Sequence, residues 1–405
     1  MKRKVVIALL CGILAISSMT ACGGAKETVA EAATTAETTE ESEEDAKAAE
    51  EAAAKEAEEK AAEEAAAKEA EKEEAYETGR ACLYGLDGQE IDLETAYNSF
   101  EKALELGKTE ANFYLGVMYD WKSYPEQDYE KARAYYEAAG ENPYAYVALG
   151  FNYYYGQGVE ADQEKGKEYF DNAIALGCMD GYLGLGLIAS NEGDDAAAEE
   201  DYSIVAEQGT EPLYVMQAAN KLGSMCEYQD DAKAMEWHQK AYELGSASSA
   251  YSIALMYQGG RGVEQDTAKA EEWYQNAYEL DNIMAVQIAI GYEMEQDYAK
   301  ALAWYEKAYE AGCNYADVIG NYYYMGQGTE QDYAKALEWY EKAYDDNNEL
   351  LKTVDDGDWL AGIYQEKATQ LANNIANMYE NGLGVDQDAE KAAEWYAKAE
   401  EAAEN

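Results

Sequence analysis

Residues 327–343 read Gln327-Gly328-Thr329-Glu330-Gln331-Asp332-Tyr333-Ala334-Lys335-Ala336-Leu337-Glu338-Trp339-Tyr340-Glu341-Lys342-Ala343. Ala336, Trp339, Tyr340 and Ala343 fall at i, i+3, i+4 and i+7, one face of an α-helix. The same face recurs from Ala270 (Trp273, Tyr274, Ala277), Ala301 (Trp304, Tyr305, Ala308) and Ala392 (Trp395, Tyr396, Ala399), with looser copies from Ala96, Ala132, Gly166, Ala198 and Ala234. Successive starts lie 31 to 36 residues apart, except the last interval of 56. Such a period marks a repeat array, and we term this element helix B.

An independent feature fixes the same register. Four residues before each start stands an aspartate: Asp92, Asp128, Asp162, Asp194, Asp230, Asp266, Asp297, Asp332 and Asp388. A carboxylate there accepts the first free backbone N–H groups and meets the positive end of the helix dipole. Nine aspartates at one helical station are caps, not a dispersed metal site. Seven of them are followed three residues later by lysine.

Upstream lies a partner, helix A, clearest at Ala250, Ile253, Ala254, Tyr257 and at Ala316, Ile319, Gly320, Tyr323, with Ala372, Ile375, Ala376 and Tyr379 matching. A glycine inside a helix costs about 1 kcal/mol relative to alanine. At Gly150 and Gly320 close approach of helix B is the expected compensation. Helix A runs into Gly-x-Gly turns at Gly156/Gly158, Gly260/Gly262, Gly326/Gly328 and Gly382/Gly384, where glycine permits a positive φ. Helix B is expected to end the same way at Gly107, Gly177, Gly209, Gly245 and Gly312.

The combined pattern, A-x-x-L-G-x-x-Y-x-x-G-x-G, a short turn with Asp, then K-A-x-x-W-Y-x-x-A, resembles the Sel-1-like repeat, a relative of the tetratricopeptide repeat. The resemblance covers about 75–405 and implies an all-α fold, an α-solenoid of about nine helix-turn-helix repeats. One hairpin cannot bury its apolar face alone, so the units must stack. The second, fourth, fifth and seventh repeats lack the Gly-x-Gly turn, and an insertion lies near 345–366; these places are expected to bend or interrupt the superhelix. Proteins of this kind serve as adaptors that bind protein or peptide segments along a concave groove. By analogy with tetratricopeptide relatives, helix A residues just off the packing face would line it: Phe113, Trp121, Tyr144, Phe151, Tyr154, Tyr251 and Tyr324.

The first residues are an address. Lys2, Arg3 and Lys4 precede an apolar run from Val5 to Ile16, too short to span a bilayer. Met19-Thr20-Ala21-Cys22 resembles the lipobox of bacterial lipoproteins, which implies removal of 1–21 and acylation of Cys22. The mature chain would then be anchored on the outer face of the membrane, in the cell envelope. Residues 22–42, rich in Thr, Ala and Glu, lack an apolar face and are expected to be a disordered acidic linker. Residues 43–74 repeat Ala, Glu and Lys, with Glu51/Lys55 and Glu64/Lys68 in the favourable i, i+4 order. They are expected to form a helical spacer.

Charge and composition narrow the partners. With 83 acidic against 30 basic residues the net charge is -53, which disfavours nucleic acid and favours a basic protein or peptide. Thirty-eight tyrosines against four phenylalanines suit packed helices with wet rims, yet also motivate a second reading, carbohydrate binding on exposed rings. Cys82, Cys178, Cys226 and Cys313 lie far apart without a C-x-x-C pair, and His238 is the single histidine, so a zinc site lacks ligands. His238 occupies the position where other repeats place Tyr or Phe and is read as a packing residue. Asp355-Asp356-Gly357-Asp358 lacks the alternating ligands of a calcium loop and is read as a turn. No catalytic motif, cofactor fingerprint or metal-ligand cluster is present, so the chain is expected to be a binding protein with a monomeric body and not an enzyme.

Overall fold

The computed structural model describes residues 37–86, 91–122, 124–354 and 359–404. Cys22, the signal segment, much of the acidic linker and Asp355–Asp358 lie outside the described residues. Among those described there are eighteen α-helices and no strand. The chain divides into two compact units, residues 1–67 and 68–405.

In the first unit residues 37–67 are helical, the start of α1 (Glu37–Tyr84). The second unit begins at Lys68, where the Ala/Glu/Lys composition still continues. Glu71 and Glu73 already pair with Lys102 and Lys108, at 2.9 and 2.6 Å.

The second unit is nine A/B hairpins. The C-terminal end of α1 and α2 (Leu93–Glu105) make the first, α3 (Ala111–Asp120) and α4 (Tyr129–Ala138) the second. There follow α5 (Pro143–Tyr155) with α6 (Gln163–Ala175), α7 (Tyr182–Glu192) with α8 (Asp195–Gln208), and α9 (Pro212–Cys226) with α10 (Asp231–Glu243). The last four are α11 (Ala247–Gly259) with α12 (Thr267–Leu280), α13 (Met284–Met294) with α14 (Tyr298–Glu310), α15 (Ala316–Met325) with α16 (Tyr333–Leu351), and α17 (Trp359–Asn381) with α18 (Ala389–Glu404). All nine aspartates cap helix B through the carboxylate; Asp332, for instance, accepts from Ala334 N at 3.1 Å and Lys335 N at 3.0 Å.

Six of the nine hairpins close by seating a ring of helix B in a glycine notch on helix A. A Cβ added at Gly116 would lie 2.4 Å from the Tyr136 ring, at Gly150 2.3 Å from Phe170, at Gly223 2.6 Å from His238 and at Gly320 2.7 Å from Tyr340. The glycines are thus kept by contact, and the lost helix propensity is the cost of ring burial. Where the ring is a tyrosine, helix A often supplies an acceptor at its tip. Tyr136 donates to Asp120 (3.2 Å), Tyr305 to Glu293 (2.8 Å) and Tyr396 to Glu380 (2.9 Å).

Successive hairpins are joined by a ladder of edge-to-face rings between helices B. Trp273 meets Tyr242, Trp304 meets Tyr278, Trp339 meets Tyr309 and Trp395 meets Tyr344, with centroids 4.6 to 5.7 Å apart. The lysine three residues after the cap lies over the tyrosine ring near the end of helix A: Lys131 on Tyr119, Lys165 on Tyr153, Lys300 on Tyr292 and Lys335 on Tyr323, at 3.8 to 5.2 Å. Much of the tyrosine surplus is therefore engaged within and between repeats.

One turn expectation needs correction. Gly107, Gly177, Gly245 and Gly312 have positive φ, but Gly209 has φ −63°. Gly209 is required instead by approach, since a Cβ there would lie 2.5 Å from the Val205 carbonyl and 2.7 Å from Asp180 Oδ1. In the Gly-x-Gly turns both glycines have the expected positive φ, and the first caps helix A at Gly156, Gly260 and Gly326. The second also abuts the start of the preceding helix B, a Cβ at Gly328 falling 2.3 Å from the Tyr298 backbone.

The insertion near 345–366 does not interrupt the stack. It lengthens both helices of the last connection, α16 to 19 residues and α17 to 23. Buried Asn347 ties them by donating to the Tyr364 carbonyl at 2.7 Å.

Candidate functional site

The start of α9 reaches back across three hairpins. Tyr114 on α3 donates to Glu211 Oε2 at 2.9 Å, Tyr214 donates to the Tyr144 carbonyl at 3.0 Å, and the Tyr214 ring lies 6.2 Å from Phe113. Burial pushes the Glu211 carboxyl up to about 6. This closure decides which helix A aromatics remain open.

Beside it lies a cleft of about 390 Å³, within the range of about 300–1,000 Å³ typical of ligand sites. Trp121, at the end of α3, forms one edge; α5 contributes Phe151 and Tyr155, and α7 contributes Leu183 and Leu187. Tyr202 of α8 and Met216 of α9 complete the apolar wall. The polar lining is Gln157, Gln217, Asn220, Lys221, Ser246 and Ser248. Asn220 donates to both serines, at 3.2 Å to Ser246. Trp121 is 46% exposed and Tyr155 54%, so two large rings stand open at the rim.

Of the seven aromatics singled out from the sequence, Trp121 and Phe151 line this cleft. Phe113 does not: it is fully buried under Tyr144, Tyr136 and Tyr214, and offers no surface. Tyr144 is half-buried beside it, its hydroxyl 2.8 Å from Thr210 Oγ1. Tyr154 is turned to α7, accepting from Asn191 at 2.9 Å; its neighbour Tyr155 faces the cleft instead. Tyr251 and Tyr324 lie on later repeats against Tyr274 and Tyr333, outside the cleft. The residues from α7, α8, α9 and the start of α11 were not anticipated. The fourth repeat's departures from the pattern, Leu183-Gly184-Leu185-Gly186-Leu187 without a Gly-x-Gly turn, were the only sign of them.

Other titratable groups are structural. His238 is fully buried, its Nε2 3.1 Å from Glu227 and its Nδ1 3.4 Å from Ser249 Oγ, while Arg261 holds Glu227 at 3.0 Å. Ser249 is itself fully buried, so this Ser–His–Glu trio has no access for a substrate. Burial pushes the Cys178 thiol up to about 12, away from the thiolate needed for reactivity. No group of three or more potential metal ligands occurs among the described residues. Among them no helix is long and apolar enough to cross a membrane.

The Sel1 repeat model matches residues 75–108, 109–142, 143–178, 217–246, 247–282, 289–313, 315–348 and 370–403. The chain belongs to the Sel1 repeat family. Eight of the nine hairpins are matched; the α7/α8 hairpin, which helps build the cleft, is the one left out. Sel1 repeat solenoids are scaffolds that typically mediate protein–protein interaction. A stretch of 175 residues is 29% identical to the uncharacterized protein NMB1327 of Neisseria meningitidis serogroup B, covering 42% of this chain. The match spans 37% of that relative's length. Among solved structures the chain is similar to c5321, a protective antigen of uropathogenic Escherichia coli with an SLR fold (26% identity, 81% of this chain and 76% of that one, TM-score 0.37). It is also similar to a Sel1 repeat protein from Oxalobacter formigenes (23% identity, 82% and 83%, TM-score 0.34).

Proposed function

We propose that this Sel1 repeat chain is a lipid-anchored extracytoplasmic scaffold that binds a protein or peptide partner in the cleft between α3, α5, α7 and α9. The observation that carries the reading is the pair of open rings, Trp121 and Tyr155, set over an apolar wall; exposed aromatic area around a pocket is a common feature of recognition sites. The net charge of -53 would steer a partner with a basic body toward the chain. The carbohydrate reading loses its main motive, because so many tyrosines are engaged in ring and lysine contacts between helices.

The test is a pull-down from envelope extract with the full chain and with a Trp121→Ala/Tyr155→Ala variant. Both side chains are rim residues, so helicity and melting should persist while a specific partner is lost at least tenfold. Equal retention by the variant would remove the cleft reading. The anchor rests on Met19 to Cys22: Cys22→Ser should release the chain into the medium or leave it unprocessed. Unchanged membrane retention of that variant would overturn the lipoprotein reading.

A further inference from the structure

The buried trio at the α10–α11 joint is one end of a longer hydrogen-bond chain. Eight of the nine ring stations on helix B hold Tyr or Phe, which carry at most one polar atom. His238 has two ring nitrogens, and they face different repeats. Nε2 lies 3.1 Å from Glu227 at the end of α9, and Nδ1 3.4 Å from Ser249 Oγ on α11. Ser246 donates to Ser249 Oγ at 3.1 Å, and Asn220 donates to Ser246 and to Ser248. Asn220, Ser246 and Ser248 line the cleft. Two hydroxyls therefore join a fully buried imidazole to the cleft rim.

The direction of this chain follows from its far end. Glu227, 3.0 Å from Arg261, is a carboxylate and can only accept. In the neutral ring Nε2 thus carries the hydrogen, and Nδ1 accepts from Ser249. Ser246 Oγ is then saturated. It accepts from Asn220 and from the Ser249 backbone N–H, and gives its own hydrogen to Ser249. Few charged groups surround the ring. Arg261, from the turn after α11, stands behind Glu227, with Asp231 of α10 3.7 Å from it. α11 carries no charged residue and presents Ser249. Lys233 and Lys240 of α10 turn to Glu199 and to the Ala206 carbonyl on α8. On α9, Lys221 lines the cleft, and burial pushes the Cys226 thiol up, keeping it neutral.

Resting on the scaffold reading above, we propose that the charge state of His238 sets the hydrogen-bonding polarity of the cleft rim and makes binding there pH-dependent. One proton enters from water at Ser246 Oγ. The Ser246 hydrogen passes to Ser249, and the Ser249 hydrogen passes to Nδ1. The ring becomes an imidazolium facing the Glu227 carboxylate, and both hydroxyls end reversed. Nδ1 now donates to Ser249, Ser249 to Ser246, and Ser246 to Ser248 Oγ, 3.1 Å away. Ser246 Oγ then meets three donors with two lone pairs. The Ser249 N–H is fixed in the first turn of α11, so the Asn220 bond is the one released. One Asn220 N–H becomes free for an acceptor in the cleft, such as a peptide carbonyl. Acidification therefore strengthens binding.

The test follows the full chain by NMR from pH 8 to 5, the interval over which imidazole ordinarily changes charge. His238 is the only histidine, so ring-labelled histidine gives one signal to titrate. The Asn220 side-chain NH2 pair is identified by its loss in Asn220→Ser. In the wild type that pair should shift together with the imidazole. In Ser249→Ala the imidazole should still titrate while the Asn220 pair loses most of its shift. His238→Phe, which installs the ring of other stations, should leave the pair equally still. Glu211 and Asp120, pushed up to about 6 by burial, titrate over the same interval. Both variants keep them, so the difference from the wild type isolates the hydroxyl chain. An imidazole that keeps one charge throughout, an Asn220 pair that stays still in the wild type, or one that moves equally in both variants overturns the proposal. Capture of the envelope partner should rise severalfold from pH 8 to 5 in the wild type, and much less in Ser249→Ala. Equal rises in the two proteins break the link to binding and leave the scaffold reading standing. If Trp121→Ala/Tyr155→Ala retains the partner, it is the scaffold reading of the cleft that falls, whatever the NMR titration shows.

Discussion

Glu211→Gln removes a titrating group from the joint where the start of α9 meets α1 and α3. Glu211 is 1% exposed. Burial raises its carboxyl from 4.5 to about 6, against the Tyr84 and Tyr114 hydroxyls and the Arg80 guanidinium, which pull it down. A carboxyl held above its unfolded value binds its proton more readily in the folded state. Its contribution to stability is therefore complete below pH 4.5 and is lost as pH rises through about 6. Over that interval, at roughly 1.4 kcal/mol per pH unit, the loss reaches about 2 kcal/mol near neutrality. Glutamine keeps an oxygen for the Tyr114 hydroxyl and cannot ionise. The variant should therefore gain on the wild type as pH rises, by about 1 kcal/mol between pH 5 and 7.5. Long repeat arrays do not unfold in one step, so the readout is amide hydrogen exchange in α3 and α9, with intrinsic rates divided out. General charge repulsion grows with pH in both proteins and cancels in the comparison. A difference that stays flat or shrinks from pH 5 to 7.5 refutes the reasoning.

The ring notches make a paired prediction. Gly150→Ala gains about 1 kcal/mol of helix propensity, but its Cβ would sit 2.3 Å from Phe170, a buried ring braced at 5.0 Å by Phe151. Overpacking of about 1–3 kcal/mol should outweigh the gain and speed hydrogen exchange in α5 and α6. Gly362→Ala, inside α17 with nothing within 4 Å of its Cβ, should be stabilising by up to about 1 kcal/mol; equal effects at the two sites would show that the notch is not a steric fit. Asp332→Ala strands the N–H groups of Ala334 and Lys335 and should cost about 1 kcal/mol, seen as faster exchange in the first turn of α16. An unchanged first turn would mean water serves as well as the carboxylate.

What the sequence determined by itself is everything carried by local period. The i, i+3, i+4, i+7 face, the aspartate four residues ahead of it and the glycines with positive φ are dictated within one hairpin, so the nine helices B and their caps were legible from residue spacing alone. Gly320 was legible as a close approach for the same reason, its partner Tyr340 lying in the next helix. The lysines after the caps and the Trp–Tyr ladder were visible only as a recurring pattern, because their partners lie on neighbouring helices. The tertiary structure decided the site. Phe113 and Trp121 occupy one helix and its cap, yet the first is sealed by Tyr214 and the second stands open. Tyr136 of their own repeat flanks Phe113, and the return of Tyr214 on α9 onto α3 completes the seal. Tyr154 and Tyr155 divide in the same way, one turned to Asn191 and the other to the cleft. Contacts between residues about a hundred positions apart, such as Tyr114 with Glu211, depend on the summed small rotations of the intervening hairpins. A repeat pattern specifies each hairpin but leaves that accumulated curvature to packing at every joint. The cleft exists where the curvature brings the second, third, fourth and fifth repeats together, with Ser246 and Ser248 of the sixth at its rim.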